Sequence, residues 1–457
     1  MLPAENSLGE KHRERPKRVV RMVVHQKPVA WSLGAMGVVL GASAVPFSGA
    51  AAVLPRGSPV RSLPDKLLIG YGSNCDKVRQ AVEDGVNVVI WSFLDIVATA
   101  AGAAQCRESQ MEQQAAMTAT AKGGHRDEEQ CGVAGTAAIR TSLDLESIRH
   151  LIRSLDESGY EDTIHLASFG GWNGPHLDPN LTPEEWYHTF KEQLGDMFHG
   201  VDWDLEGHDN YDSPTNFFTM ECLNKMGTIS QLLKRGTVHC DCNCVPGACP
   251  NLTSIWFLSV HCVDGYTVGM APPQSYLDLH GDGRFSRRVN LKEPARAWHP
   301  EFSYFGRNVY AYLLAKFGDS IDFVSIQFYE SYSKAGMALH EEHITAADYL
   351  QRFVESAAEG GCLSAVIDFA EDEEVGLSKK TVQLPLSKLV FGFANGWADD
   401  GNDKTLYVAP EQVQKAWKAL DSKGQLPRGF MFWTINEEGI SNGIYYAREL
   451  SQILHNR

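Results

Sequence analysis

Eight short apolar runs recur along this chain, at Lys66–Tyr71, Val86–Leu94, Thr163–Phe169, Val201–Leu205, Tyr266–Ala271, Asp322–Tyr329, Leu389–Phe393 and Gly429–Thr434. Each has the length of a strand. Helical patterns lie between them, among them Asp144–Ser158, Pro183–Phe198, Asn216–Lys234, Ala346–Ala358 and Pro410–Leu420. Parallel strands are joined by crossovers, usually helices, so eight strands in alternation with helices predict an α/β fold, a (β/α)8 TIM barrel with loop insertions. A doubly wound open sheet shares the alternation, but no glycine-rich nucleotide loop follows the first run. Two helix starts carry capping signals. Thr182 precedes Pro183 with Glu185 at the capping-box position, and Ser142 stands before a helix with Glu146 nearby.

Catalytic residues of such barrels lie at the C-terminal ends of the strands. Six of the runs end in polar or aromatic residues: Ser168-Phe169-Gly170-Gly171-Trp172-Asn173, Asp204-Leu205-Glu206, Met270-Ala271-Pro272-Pro273-Gln274, Gln327-Phe328-Tyr329-Glu330, Phe393-Ala394-Asn395 and Trp433-Thr434-Ile435-Asn436. The fourth run stands out. In Gly200-Val201-Asp202-Trp203-Asp204-Leu205-Glu206-Gly207 the acids occupy alternate positions, so on a strand all three point one way and Val201, Trp203 and Leu205 point the other. Crowded carboxylates raise each other's pKa values, and glycosidic bond cleavage needs a protonated acid beside charged neighbours. A solvent-facing edge strand would carry the same row without chemistry.

The 457 residues allow one large or two ordinary domains. A composition of 43% hydrophobic and 21% charged residues suits a soluble globular protein. The net charge of −16 argues against nucleic acid as a partner and is compatible with a neutral polymer such as a polysaccharide. Residues 11–27 are basic, and no charge follows from Pro28 to Pro55. With an apolar segment at Val29–Val45 and small residues at Ala42-Ser43-Ala44 and Ser48-Gly49-Ala50, residues 1–55 read as a secretory signal peptide. The apolar run approaches spanning length, so a signal anchor is the alternative, and a membrane is a partner only in that case. Residues 56–63 read as a linker, and 64–457 as one large folded domain.

An even ten cysteines behind such a leader make disulfides plausible. Cys106 and Cys131 bracket a polar insertion at residues 103–135, whose base they would tie together. His239-Cys240-Asp241-Cys242-Asn243-Cys244 with Cys249 lacks the paired spacing of zinc ribbons and favours disulfides over a metal. Asn180-Leu181-Thr182 and Asn251-Leu252-Thr253 are glycosylation sequons.

Over roughly residues 64–455 the chain resembles the chitinases of glycoside hydrolase family 18. The family's fourth-strand signature D-G-x-D-x-D-x-E is matched by His199-Gly200-Val201-Asp202-Trp203-Asp204-Leu205-Glu206, and its third-strand S-x-G-G by Ser168-Phe169-Gly170-Gly171. The sixth-strand Q-x-Y is Gln327-Phe328-Tyr329, and the eighth-strand tryptophan is Trp433. The stretches around Met270–Tyr276 and Gln327–Ser331 look most like the plant class III and related microbial branch. His199 departs from the signature's first Asp, off the acid row, where it bears on strand entry or pH response rather than on catalysis.

The resemblance implies an endo-acting chitinase that works by substrate-assisted, retaining catalysis, without metal or cofactor, on chitin or N-acetylglucosamine oligosaccharides. Glu206 is then the general acid. Asp204 bonds the substrate's acetamide N–H, Asp202 shares a proton with Asp204, and Tyr329 bonds the acetamide oxygen. Gln327 frames the pocket, Trp433 forms its floor, and Gly171, Trp172 and Met270 line it. Ser168 is expected to support Asp202, and Trp203 to be core. Trp298 and Trp397 are further candidates for sugar stacking. Endo-β-N-acetylglucosaminidases on N-glycans share the carboxylate row. Family members that act as lectins lack the terminal Glu, which is intact here. A secreted location follows from the leader.

Overall fold

The computed structural model describes residues 61–99, 137–235, 265–281, 283–289, 307–330, 333–355, 361–399 and 406–455. The leader of residues 1–55, the insertion with Cys106 and Cys131, the His239–Cys249 cluster, the Asn251 sequon and Trp298 lie outside the described residues.

All eight expected strands form, as β1 (Leu67–Gly72), β2 (Val88–Ala98), β4 (Ile164–Gly171), β5 (Gly200–Leu205), β6 (Thr267–Met270), β7 (Phe323–Gln327), β10 (Leu389–Ala394) and β11 (Gly429–Trp433). They pair in parallel in that order, and β11 closes on β1, with Leu67 beside Gly429 and Ile69 beside Met431. Closure excludes the open doubly wound sheet: the fold is a (β/α)8 TIM barrel.

Helices α1 (Cys75–Glu83), α2 (Leu145–Glu157), α3 (Pro183–Gln193), α4 (Met220–Arg235), α5 (Ala311–Phe317), α6 (Lys334–His340), α7 (Ala346–Glu355), α8 (Pro410–Asp421) and α9 (Tyr446–His455) follow the strands. Thr182 and Glu185 form the expected reciprocal box at the start of α3, with Thr182 N–H donating to Glu185 Oε2 at 2.8 Å and Glu185 N–H to Thr182 Oγ1 at 3.2 Å. Three boundaries differ from the sequence reading. Asp144 caps α2 rather than Ser142, because its carboxylate reaches the Ser147 N–H. Helix α3 stops at Gln193, before Gly195. Helix α4 begins at Met220 because Asn216 is drawn into the preceding loop, accepting from His208 N–H at 2.7 Å and donating to the Asn210 carbonyl at 2.8 Å.

Two packed layers follow from strand alternation. Leu67, Ile69, Val88, Ile90, Ile164, Leu166, Phe323, Val390 and Met431 point inward and fill the barrel. The odd-numbered residues of β5 point outward, where Trp203 meets Phe169 and Trp186 beneath the helices. This outer layer is the larger core.

Two features were not anticipated. Strand β2 continues past the barrel and pairs antiparallel with β3 (Ala137–Thr141), from Leu94 beside Thr141 to Ala98 beside Ala137. The two strands form the stem of the long insertion. Between α7 and β10 a hairpin of β8 (Cys362–Asp368) and β9 (Lys379–Pro385) is added, held against the barrel side by Leu363, Ile367, Val382 and Leu384. Among the described residues, Cys75, Cys222 and Cys362 are free thiols that form no disulfide with one another. Burial pushes the Cys222 thiol up to about 12, which keeps it inert.

Candidate active site

Strand β5 lies between β4 and β6 inside the closed barrel, so its acid row faces the barrel mouth and not open solvent. Asp202, Asp204 and Glu206 are all buried. The edge-strand alternative is thereby excluded.

Asp202 is deepest. The Tyr71 hydroxyl donates to its Oδ2 at 2.6 Å and the Ser168 hydroxyl to the same oxygen at 2.9 Å. Its Oδ1 has no hydrogen-bond partner. Beside it in register on β6 is Gly269, where a Cβ would lie 3.0 Å from Oδ1 and 2.4 Å from the Phe323 ring. Burial raises the Asp202 pKa to about 6, against the pull of its two hydroxyl donors.

Asp204 Oδ1 accepts from Gln327 Nε2 at 2.8 Å, and the same amide donates to the Ala271 carbonyl at 2.6 Å. Burial, then Glu206 and Asp202, push the Asp204 carboxyl well above the ordinary range. Glu206 sits just past the strand and is raised to about 6 by burial, while hydrogen bonds from Glu330, Asp204 and Gln327 oppose the rise. Glu330, three residues past β7, is itself raised well above its usual value by burial and by Glu206, to which it is hydrogen-bonded. Asp204, Glu206 and Glu330 thus titrate together, and desolvation with mutual repulsion retains protons on the group into mildly acidic solution.

Tyr329 is buried beside this group, its hydroxyl pKa raised by burial and then by Asp204 and Glu206. Trp433 is half-buried across the mouth. Its ring stacks on Phe93 with centroids 5.7 Å apart and tilts against Tyr71 at 5.4 Å. Trp397 Nε1 donates to the Trp433 carbonyl at 2.7 Å. The arrangement is a buried polar cluster with one aromatic wall, able to hold a proton donor beside an anion and a hydroxyl.

The structure brings Glu206, Asp204, Asp202, Tyr329, Gln327 and Trp433 together. Gly171 contributes indirectly: with φ of 83° and a Cβ position 2.6 Å from the Phe93 ring, it seats the phenyl group on which Trp433 stacks. Trp172 stands on the rim, 44% exposed, with Nε1 donating to Asp209 Oδ1 at 3.1 Å. Met270 lies elsewhere than expected. It pairs in register with Trp203 and is fully buried in the outer layer, one residue out of phase with the inward Gly269 and Ala271, so it does not line the pocket. Ser168 supports Asp202, and Trp203 is core, its Nε1 donating to Ser230 Oγ at 2.9 Å.

Sequence reasoning assigned no role to Tyr71, Phe93 or Glu330. Tyr71 is the next-to-last residue of the first strand, at an inward position in phase with Leu67 and Ile69, which is the signal that could have found it. Glu330 follows Tyr329 with no alternation to mark its direction.

His199 lies at the opposite end of β5. Its backbone opens the ladder on both sides, donating to the His165 carbonyl at 2.7 Å and accepting from Thr267 N–H at 2.8 Å. Its Nδ1 accepts from His165 N–H at 2.9 Å, and burial with the nearby Arg61 lowers its pKa to about 3. It is neutral wherever Glu206 titrates.

No family model matches the chain, and no curated protein matches it. Among solved structures, a family GH18 chitinase catalytic domain from the fern Peteris ryukyuensis is similar over 86% of this chain and 100% of its own, at 14% identity and TM-score 0.42. A fungal endo-β-N-acetylglucosaminidase from glycosyl hydrolase family 18 is similar over 86% of this chain and 99% of its own, at 12% identity and TM-score 0.44. A tamarind chitinase-like lectin is similar over 85% and 98%, at 8% identity and TM-score 0.35.

Proposed function

We propose that this chain is a glycoside hydrolase of family 18 that cleaves β-1,4-linked N-acetylglucosamine polymers, as an endo-acting, retaining chitinase. The observation that carries the reading is the buried row of Asp202, Asp204 and Glu206, joined by Gln327 and Tyr329 under Trp433. Glu206 donates its proton to the glycosidic oxygen as the bond to the anomeric carbon breaks. The substrate's acetamide oxygen attacks that carbon and forms an oxazolinium ion. Asp204 accepts from the acetamide N–H and balances its developing charge, while Tyr329 donates to the acetamide oxygen. Water then adds to the anomeric carbon, giving its proton back to Glu206 and leaving the configuration retained. Asp202 holds the proton that Asp204 does not. The indole of Trp433 supports the sugar ring by its apolar face.

The test is hydrolysis of defined chitin oligomers by the purified protein beside a high-mannose glycopeptide. Chitin oligomers should be cleaved with the β-anomer formed first, and glucosamine and cellulose oligomers, which lack the acetamide, should resist. Cleavage of the glycopeptide alone would make the protein an endo-β-N-acetylglucosaminidase. Oligomer binding without turnover would make it a lectin. Prompt α-anomer would return the site to a two-carboxylate scheme. The same reading assigns 64–457 as the catalytic domain, made as a secreted protein after removal of the leader. A protein recovered with residues 1–55 still attached to membranes would contradict the removal.

A further inference from the structure

The peptide unit that follows Glu206 lies beyond the last residue of β5, Leu205, whose partner across the ladder is Gly171. The sheet therefore does not hold it. Two side chains do. His176, in the loop after β4, places its Nε2 3.0 Å from the Glu206 carbonyl. Tyr276, in the short helix after β6, places its hydroxyl 3.0 Å from the Gly207 N–H. The carbonyl and the N–H belong to one planar peptide unit. It is gripped at both polar ends, by residues from the connections that follow the two strands flanking β5.

The chemistry of the grip is defined. A carbonyl oxygen only accepts, so His176 must carry its proton on Nε2. Burial lowers the His176 pKa to about 4, and the imidazole donates in either charge state. The His176 ring packs on Phe218 with centroids 4.3 Å apart, and Tyr276 is buried between Phe218 and Tyr310, so neither group is free to swing. Gly207 permits the approach, since a Cβ there would lie 3.1 Å from the Tyr276 hydroxyl and 2.8 Å from Asn216 Oδ1. The next unit is held as well, by Asn173 N–H on the Gly207 carbonyl at 3.0 Å and His208 N–H on Asn216 Oδ1 at 2.7 Å.

We propose that His176 and Tyr276 are positioning residues for Glu206, fixing the peptide unit from which its side chain projects and so the direction of its carboxyl. The proposal rests on Glu206 as the proton donor. Rotation of an unclamped peptide unit about the backbone would swing the carboxyl by an ångström or more, and a misplacement of that size costs roughly 100-fold in rate.

The test compares Tyr276→Phe, His176→Met and His176→Gln, the last of which keeps an N–H donor near the position of Nε2. With chitin oligomers, Tyr276→Phe and His176→Met should lower kcat by about 10- to 100-fold with KM within about threefold of wild type, and His176→Gln should recover most of the loss. A second readout needs no turnover: the titration of the Glu206 carboxyl followed by 13C NMR in the free protein. It should shift in Tyr276→Phe and His176→Met and stay near wild type in His176→Gln. The groups facing Glu206 in that titration are Asp204, Glu330, Tyr276, Tyr310 and Tyr329, with Asp202 facing Asp204 and Arg307 facing Tyr276. An unchanged Glu206 titration in both damaging variants would overturn the proposal, as would a loss in His176→Gln equal to that in His176→Met. If wild type turns over no sugar substrate, the functional reading fails and the NMR titration alone decides the clamp.

Discussion

At the scale of single residues, the cost and the use of the site are the same fact. Glu206 is raised from an ordinary carboxyl value to about 6, chiefly by burial, and a general acid works only while it holds its proton. Turnover of chitin oligomers should therefore fall as pH rises through about 6, roughly tenfold per unit on kcat/KM above it, which a pH–rate profile reads directly. Glu206→Gln should lower turnover by ~10²–10⁴-fold or more and leave oligomer binding in place. Activity within threefold of wild type would remove Glu206 from its role. A carboxyl whose folded pKa is raised contributes stability below its unfolded pKa and loses it as pH rises through the folded value. By that sign the same substitution should also stabilise the protein at pH 7, on the order of 1–2 kcal/mol, with no gain at pH 4. Denaturant melts at the two pH values check it.

At the scale of elements, strand phase explains both what the sequence revealed and what it hid. Asp202, Asp204 and Glu206 share one face because side chains alternate, and that was legible from three acids in eight residues. The same rule excludes Met270, because the ladder puts it beside Trp203 rather than beside Asp202. Register of that kind depends on a neighbouring strand distant in sequence, so the 267–270 segment alone did not display it. Caps behave differently because they are local. The box of Thr182 and Glu185 was read from four residues and is present. Asp144 won over Ser142 at α2 because its carboxylate sits three residues before the N–H it caps. Thr182→Ala should cost about 1 kcal/mol in urea unfolding and leave KM unchanged, since α3 lies outside the barrel mouth.

At the scale of the whole molecule, the two ends of the barrel carry opposite pH liabilities. Burial and Arg61 hold His199 near 3 at the end away from the site, and His165 beside it is held well below the ordinary histidine value by burial and by His199. A histidine whose folded pKa is depressed destabilises the fold once pH drops below about 6.5, because the unfolded chain takes up the proton first. That loss accumulates down to about 3. The raised Asp202 and Glu206 act in the reverse direction between about 6 and 4, so wild-type stability changes less with pH than either set alone dictates. His199→Asn keeps an acceptor near the position of Nδ1 and removes the titration. Its stability relative to wild type should improve by about 2–3 kcal/mol between pH 6.5 and pH 4.5. A constant difference across that range would show that His199 titrates normally.

The strand–helix alternation, the acid row and its common face, and the strand-end positions of Gln327, Tyr329 and Trp433 were all legible in the order of residues along the chain. These depend on local period and on short spacing. Closure of the sheet, the pairing of Tyr71 with Asp202 across 131 positions, the entry of Glu330 into the carboxyl group, the seat that Gly171 provides for Phe93, and the outward turn of Met270 arise only in the packed barrel. Each of these depends on which strands become neighbours and in what register. That is set by the packing of the whole barrel, where burial also turns ordinary carboxyls into proton-holding ones.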